Sequence, residues 1–339
     1  MEKYNIAVVG ASGAVGQELL KILGERNFPV GELKLCATSR SAGKEFYFRG
    51  QPYTVEVTTP DSFTGMDLAL FAGGAAVKEF GPSAVERGAV VIDNSSNFRM
   101  DPAVPLIVPE VNPEDVQWHK GIIANPNCST IQMVVALKPI HDAAKIKRVV
   151  VSTYQAVSGA GREGIGELTE QTKAALGQGE ATPKVFPYPI AFNLIPHIDQ
   201  FMDMDYTKEE WKMVKETQKI LHDDSIAVTA TTVRVPVYRS HSEAINIETE
   251  KKITARQAKE LFEKFPGIVV VDDPALKKYP MPLYSLERDE VFIGRIREDN
   301  SIPNGLNIWV VADQIRKGAA TNTIQIAELV IKYGCLMKK

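Results

Sequence analysis

Short apolar runs alternate with helix-spaced segments through the first part of the chain. Residues 6–9, 33–37, 68–71, 89–92 and 122–124 form apolar runs of strand length. Between the first two lies Gly16-Gln17-Glu18-Leu19-Leu20-Lys21-Ile22-Leu23, whose apolar positions fall at helical spacing until Asn27-Phe28-Pro29 ends it. This alternation predicts a βαβ opening and a parallel sheet covered by helices. After Cys128 the apolar residues gather in longer β-rich segments at 148–153, 226–237, 243–249 and 291–296, which predict a mixed, largely antiparallel sheet. Helical patterns at 164–176 and 207–221 interrupt them. A Gly- and Pro-rich loop at 177–196 is long enough to suggest a role in binding or assembly. Residues 315–333 read again as helix, with Ile324, Ala327, Leu329 and Ile331 available to cover a sheet.

A chain of 339 residues can bury two ordinary cores, and 44% hydrophobic with 24% charged residues is a globular profile. The net charge of −3 offers no basic face to nucleic acid or to an anionic membrane. Three scattered cysteines make neither a disulfide framework nor a metal cluster, so a reducing compartment and no metal are expected. Met1 to Asn5 runs into the first strand without an apolar signal segment, and no later stretch has the length of a bilayer span. Cytoplasm is the expected location.

Two features carry chemistry. Gly10-Ala11-Ser12-Gly13-Ala14-Val15-Gly16 follows the first strand and opens the first helix. Its G-x-x-G-x-x-G spacing departs from G-x-G-x-x-G, but the strand-then-helix setting suits a dinucleotide pyrophosphate at a helix N-terminus. Where an acidic residue would hold the ribose of NAD, the chain has Thr38-Ser39-Arg40-Ser41, which suits the 2′-phosphate of NADP. The second feature is Asn125-Pro126-Asn127-Cys128-Ser129-Thr130, a cysteine between a turn and an apolar helix-like run. The positive end of a helix favours the thiolate, which makes Cys128 the candidate nucleophile. Cys36, inside an apolar strand, and Cys335, near the frayed C-terminal end, read as structural.

Further polar residues stand inside apolar strands. Ser152 to Arg162 ends a strand in a flexible turn containing Gly159, where small residues would admit a nicotinamide ring. Thr231 to Glu243 reads as one strand carrying Arg234 and, seven residues later, His241, a candidate to exchange the thiol proton. Strand alternation puts Arg234 and His241 on opposite faces unless a bend near Pro236 re-aims the chain.

In order along the chain, Gly10 to Gly16, Asp93-Asn94-Ser95-Ser96, Asn127-Cys128-Ser129-Thr130, Gln155 with Ser158-Gly159, Glu209-Glu210-Trp211-Lys212, Arg234 through His241, and Gly318-Ala319-Ala320 match one pattern. Over essentially its full length the sequence resembles bacterial aspartate-semialdehyde dehydrogenases. The resemblance implies an α/β protein: a Rossmann-type NADP-binding domain of residues 1–127 with 315–339, and an α+β catalytic and dimerisation domain of 128–314 with a mixed, largely antiparallel sheet. It implies NADPH-dependent reduction of L-aspartyl-4-phosphate to the semialdehyde and phosphate, on the route to lysine (through diaminopimelate), threonine, methionine and isoleucine, by a homodimer. Cys128 then forms the acyl-thioester, His241 is its general acid/base and Gln155 orients the acyl group. Arg234 binds the substrate carboxylate, Glu209 its amino group, and Arg99 with Lys212 the phosphate. Gly10, Ser12, Gly13, Ala14, Val15, Arg40, Ser41, Ser158, Gly159 and Gln314 contact NADP. The rivals are a related acyl-phosphate reductase, such as one acting on N-acetyl-γ-glutamyl phosphate, and a non-catalytic NADP-binding sensor. The Glu-Glu-Trp-Lys segment argues against an N-acetylated substrate, which has no ammonium for Glu209 to pair.

Overall fold

The computed structural model describes residues 2–337. The chain divides into two compact units, Met1–Asn127 with Ala319–Lys339, and Cys128–Gly318. The chain thus returns to the first unit at Ala319, four residues later than the expected 315.

The first unit runs β1 (Tyr4–Val9), α1 (Ala14–Glu25), β2 (Val30–Ala37), β3 (Glu45–Phe48), β4 (Gln51–Val57), β5 (Leu68–Phe71), α2 (Ala76–Glu86), β6 (Val90–Asp93) and β7 (Ile122–Ala124). The strands form one sheet in the order β3-β4-β2-β1-β5-β6-β7, parallel except for the antiparallel β3–β4 edge. β1 and β5 are buried along almost their whole length because helices cover both faces of a parallel sheet. Residue patterns did not predict the β3–β4 hairpin, whose short strands are mostly exposed despite their aromatic residues.

The second unit contributes α3 (Cys128–Ala144), β8 (Ile146–Gln155), α4 (Gly161–Ala175), α5 (Lys208–Leu221), β9 (Ala227–Arg234), β10 (His241–Thr249), α6 (Ala255–Lys264), β11 (Ile268–Val270), the short α7 (Pro282–Ser285), β12 (Val291–Asp299) and β13 (Gly305–Ala312). Its sheet order is β11-β12-β13-β10-β8-β9, with β12–β13, β13–β10 and β10–β8 antiparallel and the two outer pairings parallel. α3 is apolar nearly all round and packs on β8, β10, β12 and β13 as well as on α5 and α6, as a core helix should.

A π-helical turn, Arg316–Ala320, precedes α8 (Thr321–Lys332), which belongs to the first unit. The buried face of α8 is Ile324, Ile326, Ala327 and Val330; the predicted Leu329 and Ile331 are only half-buried at its margin. Cys36 is buried in β2. Cys335 is not frayed, since it packs on the first core and its carbonyl lies 2.8 Å from His119 Nε2.

The segment 177–196 has no regular element yet is ordered by buried side chains. Glu167 accepts backbone N–H groups from Lys184, Val185 and Phe186, and Gln171 accepts those of Ile190 and Ala191. These bonds satisfy backbone groups that a buried loop would otherwise orphan. Phe186, Ile190 and Ile195 then close a small core with Val157 and Leu168.

α5 starts in a capping box, with Thr207 Oγ1 accepting from Glu210 N–H and the Glu210 carboxylate accepting from Thr207 N–H. Thr207→Ala is expected to cost about 1 kcal/mol, read as a lower midpoint in chemical denaturation. An unchanged midpoint would remove the cap from the account.

Candidate active site

The expectation of one strand from Thr231 to Glu243 is corrected by the fold. The chain leaves the sheet after Arg234 and re-enters at His241, through a turn that ends in Ser240 at φ 78°. Arg234 and His241 therefore sit on different strands, with β8 between them. Gln155 pairs with Arg234, and Ser242 pairs with Tyr154, which brings His241 level with Gln155. Paired residues share a face of a sheet, so Arg234, Gln155 and His241 form one transverse row. All three are buried.

The backbone of Ala156 serves both ends of that row. Its N–H donates to His241 Nδ1 at 3.1 Å, and its carbonyl accepts from Arg234 Nη1 at 2.7 Å. A neutral ring held this way carries its proton on Nε2, which has no hydrogen-bond partner among the described residues. Burial and the nearby Arg234 hold the His241 pKa well below 6.5, so the ring rests uncharged. The Arg234 backbone is bonded in both directions to Ile195, and its guanidinium lies 5.8 Å over the Phe186 ring. The irregular 177–196 segment thus fixes this arginine. Gly159 has no side chain because a Cβ there would lie 2.7 Å from Arg234 Nη1 and 3.5 Å from His241 Nε2.

α5 carries the acidic end of the cluster. Gln155 Nε2 donates to Glu209 Oε1 at 3.2 Å, and Lys212 Nζ bridges Glu209 at 3.1 Å and Asp199 at 2.8 Å. Burial opposes the charge on Lys212, but Glu209 and Asp199 outweigh it and raise its pKa above 10.5. Asp199, which sequence reasoning missed, lies outside every regular element and its position gave no signal.

Cys128 is the first residue of α3 and half-buried, with no acidic side chain in the first helical turn to oppose a thiolate. Gly318 packs directly on it: a Cβ at 318 would stand 2.9 Å from the Cys128 Cβ and 3.3 Å from the Gln314 Cβ. Gln314 accepts from Ser240 N–H at 2.7 Å and donates to Ser158 Oγ. Asp313, fully buried, accepts from Arg239 and from the backbone of Glu287, Ile315 and Arg316. These bonds tie the turn under Cys128 to the residue before His241. The glycine at 318 was visible as a motif, but its steric reason was not.

The other candidates belong to the first unit. Arg99 is buried and donates to the carbonyls of Asn125 and Asn94. At the glycine-rich turn, Gly10 has φ 82°, and a Cβ on Gly16 would strike the Gly10 carbonyl at 2.3 Å, so helix and turn can touch only without one. α1 begins after Gly13 with no side-chain cap and no acidic residue in its first turn. Its leading N–H groups, including those at Ala14 and Val15, suit a phosphate. Ser12 and Ser41 hydroxyls meet at 2.9 Å, and Arg40 beside them is exposed. The residues fit a phosphorylated dinucleotide. Among the described residues no helix is long and apolar enough to cross a membrane, and no cluster of three His, Cys, Asp or Glu could hold a metal.

Comparison with known proteins matches both units to one class. The model "Semialdehyde dehydrogenase, NAD binding domain" matches residues 5–119, and "Semialdehyde dehydrogenase, dimerisation domain" matches residues 137–317. Fold and site therefore define a semialdehyde dehydrogenase, an oxidoreductase. The aspartate-semialdehyde dehydrogenase of Aquifex aeolicus is 59% identical, the match covering 98% of this chain and 99% of that protein. The crystal structure of aspartate semialdehyde dehydrogenase II from Vibrio cholerae, complexed with ASA, aligns with a TM-score of 0.95 at 49% identity over 98% of this chain and 99% of that one. The Candida albicans enzyme with NADP aligns at 0.78 and 25% identity over 99% and 100%. The chain belongs to the aspartate-semialdehyde dehydrogenase family.

Gly318→Ala overpacks Cys128 and is expected to cost about 1–3 kcal/mol and to change the rate at which iodoacetamide alkylates Cys128. A variant with parent melting and parent alkylation would contradict the contact. Nitrogen-15 NMR of labelled histidines at pH 6 should find His241 neutral with its proton on Nε2; a ring titrating near 6.5 would contradict its burial.

Proposed function

We propose that this chain catalyses the NADPH-dependent reduction of L-aspartyl-4-phosphate to L-aspartate 4-semialdehyde and phosphate through a thioester on Cys128. The observation that carries the reading is the row Arg234–Gln155–His241 with Glu209 bonded to Gln155. A guanidinium and a carboxylate that both neighbour one amide donor suit a substrate bearing both a carboxylate and an ammonium. An N-acetylated substrate has no ammonium of its own to offer Glu209, which weighs against the related reductases.

Cys128, as thiolate at the start of α3, attacks the acyl carbonyl; the S–C bond forms and the C–O bond to phosphate breaks. Arg234 holds the substrate carboxylate in a two-pronged pairing through guanidinium N–H groups other than the one given to Ala156. Gln155 orients the acyl group, and Glu209 takes the ammonium. His241 exchanges protons through Nε2; resting as the donor, it offers its N–H to the carbonyl oxygen as charge builds there. One proton is consumed overall and departs with phosphate. Bound NADPH supplies the hydride that reduces the thioester. The resulting oxyanion collapses and expels the Cys128 thiolate, so this step needs no further proton. Lys212, already held by Glu209 and Asp199, has one N–H left for phosphate, with Arg99 as the second cation.

In the first unit Gly10, Ser12, Gly13, Ala14 and Val15 take the pyrophosphate and Arg40 with Ser41 the 2′-phosphate. Ser158, Gly159 and Gln314 border the nicotinamide. NADP is the cofactor in this reading, and the Candida structure with NADP supports it. The chain works as a homodimer through the second unit, whose exposed Tyr188, Phe192 and Met204 supply apolar surface for it. The cytoplasm is its compartment, and the product feeds lysine, threonine, methionine and isoleucine synthesis.

The assay follows NADPH formation from aspartate 4-semialdehyde, NADP and phosphate. Turnover should depend on phosphate and vanish in Cys128→Ala. Arg234→Lys, losing the two-pronged pairing worth about 1.5–3 kcal/mol, should raise KM for the semialdehyde roughly 10–100-fold. A folded, NADP-binding enzyme that turns over only N-acetyl-glutamate semialdehyde would transfer the chain to the rival reaction. No turnover with either would favour the sensor reading.

A further inference from the structure

One buried acid takes no part in this chemistry. Glu243 lies two residues beyond His241 on the same inward face of β10, roughly 7 Å along the strand. It is fully buried, opposite Thr153 on β8 and Val310 on β13. Facing it from α3 is Gln132, also fully buried, one helical turn or about 6 Å beyond Cys128. The two spacings match, so with Cys128 taken to meet His241 in the reaction, Gln132 and Glu243 form the next rung between helix and sheet.

Neither carboxyl oxygen of Glu243 and neither amide atom of Gln132 has a hydrogen bond of good geometry among the described residues. Gln132 is nevertheless close enough to act on the carboxyl. Two buried polar side chains left unbonded are costly, and Gln132 is the side chain that acts on the Glu243 carboxyl. We propose that Glu243 and Gln132 form a positioning pair that fixes the rotation of α3 against β10, and with it the setting of Cys128 against His241. The proposal rests on the reading of Cys128 and His241 as the reacting pair.

The pair works as an uncharged acid and an amide, joined by O–H donating to the amide oxygen and N–H donating to the carboxyl oxygen. Burial pushes the Glu243 pKa well above 4.5. Among the described residues Gln132 is the one side chain that acts on its charge; its neighbours in the sheet are Thr153, Val310, His241 and Ile245, and Arg234 lies in the adjacent row beyond Gln155. An anion there would oppose a thiolate at Cys128, whereas a neutral pair leaves the thiolate undisturbed.

The test compares Glu243→Gln, Glu243→Leu, Gln132→Leu and the double Leu variant of the full enzyme, each checked for folding by melting. kcat is read in the semialdehyde assay and Cys128 reactivity by iodoacetamide alkylation across pH. Glu243→Gln preserves a neutral pair and should keep kcat and the alkylation profile. Each Leu variant should lower kcat about 100-fold with little change in KM, the scale of a misaligned reacting pair, and alter alkylation. The double Leu variant should melt as high as the parent or higher, because both buried polar groups are gone, and yet remain slow. Parent kcat and alkylation in folded Leu variants, or recovery of both in the double variant, would overturn the proposal. So would a Glu243→Gln enzyme as slow as Glu243→Leu, since the proton or charge would then matter. Alkylation needs no substrate, so it still tests the pair if the assigned reaction fails.

Discussion

The register of three strands is the constraint on which the site depends. Gln155 on β8 is paired with Arg234 on β9 and lies level with His241 on β10. A slip of one residue in either pairing would turn one of these side chains to the opposite face. The register is pinned from both sides: the hydrophobic face of β10 continues through Ile245 and Ile247 into the core, and Arg234 is bonded to Ile195. One peptide, at Ala156, then sets the imidazole by its N–H and the guanidinium by its carbonyl. Two groups that must meet opposite ends of a small substrate are thereby referred to a single fixed point.

The cysteine is set by a different device. α3 is buried on nearly every side, so its first residue cannot shift without disturbing the core. Gly318 lets the chain pass against Cys128, while Asp313 and Gln314 hold that passage with bonds to Arg239, Ser240 and Ser158. A thiol at a helix start needs such support, because the favourable dipole acts only within the first turn. The neutral state of His241 fits the same design: with the ring uncharged, stabilisation of the thiolate falls to the helix start and to Arg234, whose guanidinium feels the Cys128 charge.

Much of this was legible in the residues. The five apolar runs of the first unit became strands because parallel strands buried on both faces must be apolar throughout. The β3–β4 hairpin escaped because most of its residues face solvent, with only Phe48 and Val55 buried, and α6 because only Ala258 and Phe262 of it are buried. β13 is absent from the predicted strands although Leu306, Ile308 and Val310 alternate along it. Cys128 stood out from its local setting alone. The union of Arg234 with His241 did not, since a reversal between them breaks the period and only the pairing with β8 restores a common face. Asp199 and the contact of Gly318 with Cys128 are likewise products of tertiary folding.

The central claim is that Cys128 carries the acyl group while the row of Arg234, Gln155 and His241 holds the rest of the substrate. Mass spectrometry of the enzyme quenched after mixing with aspartyl phosphate, with NADPH left out, tests it most directly. The account predicts a mass gain of one aspartoyl group on the peptide containing Cys128, released by later addition of NADPH and absent in Cys128→Ser. Turnover by an enzyme that accumulates no adduct, or an adduct on another residue, would contradict it.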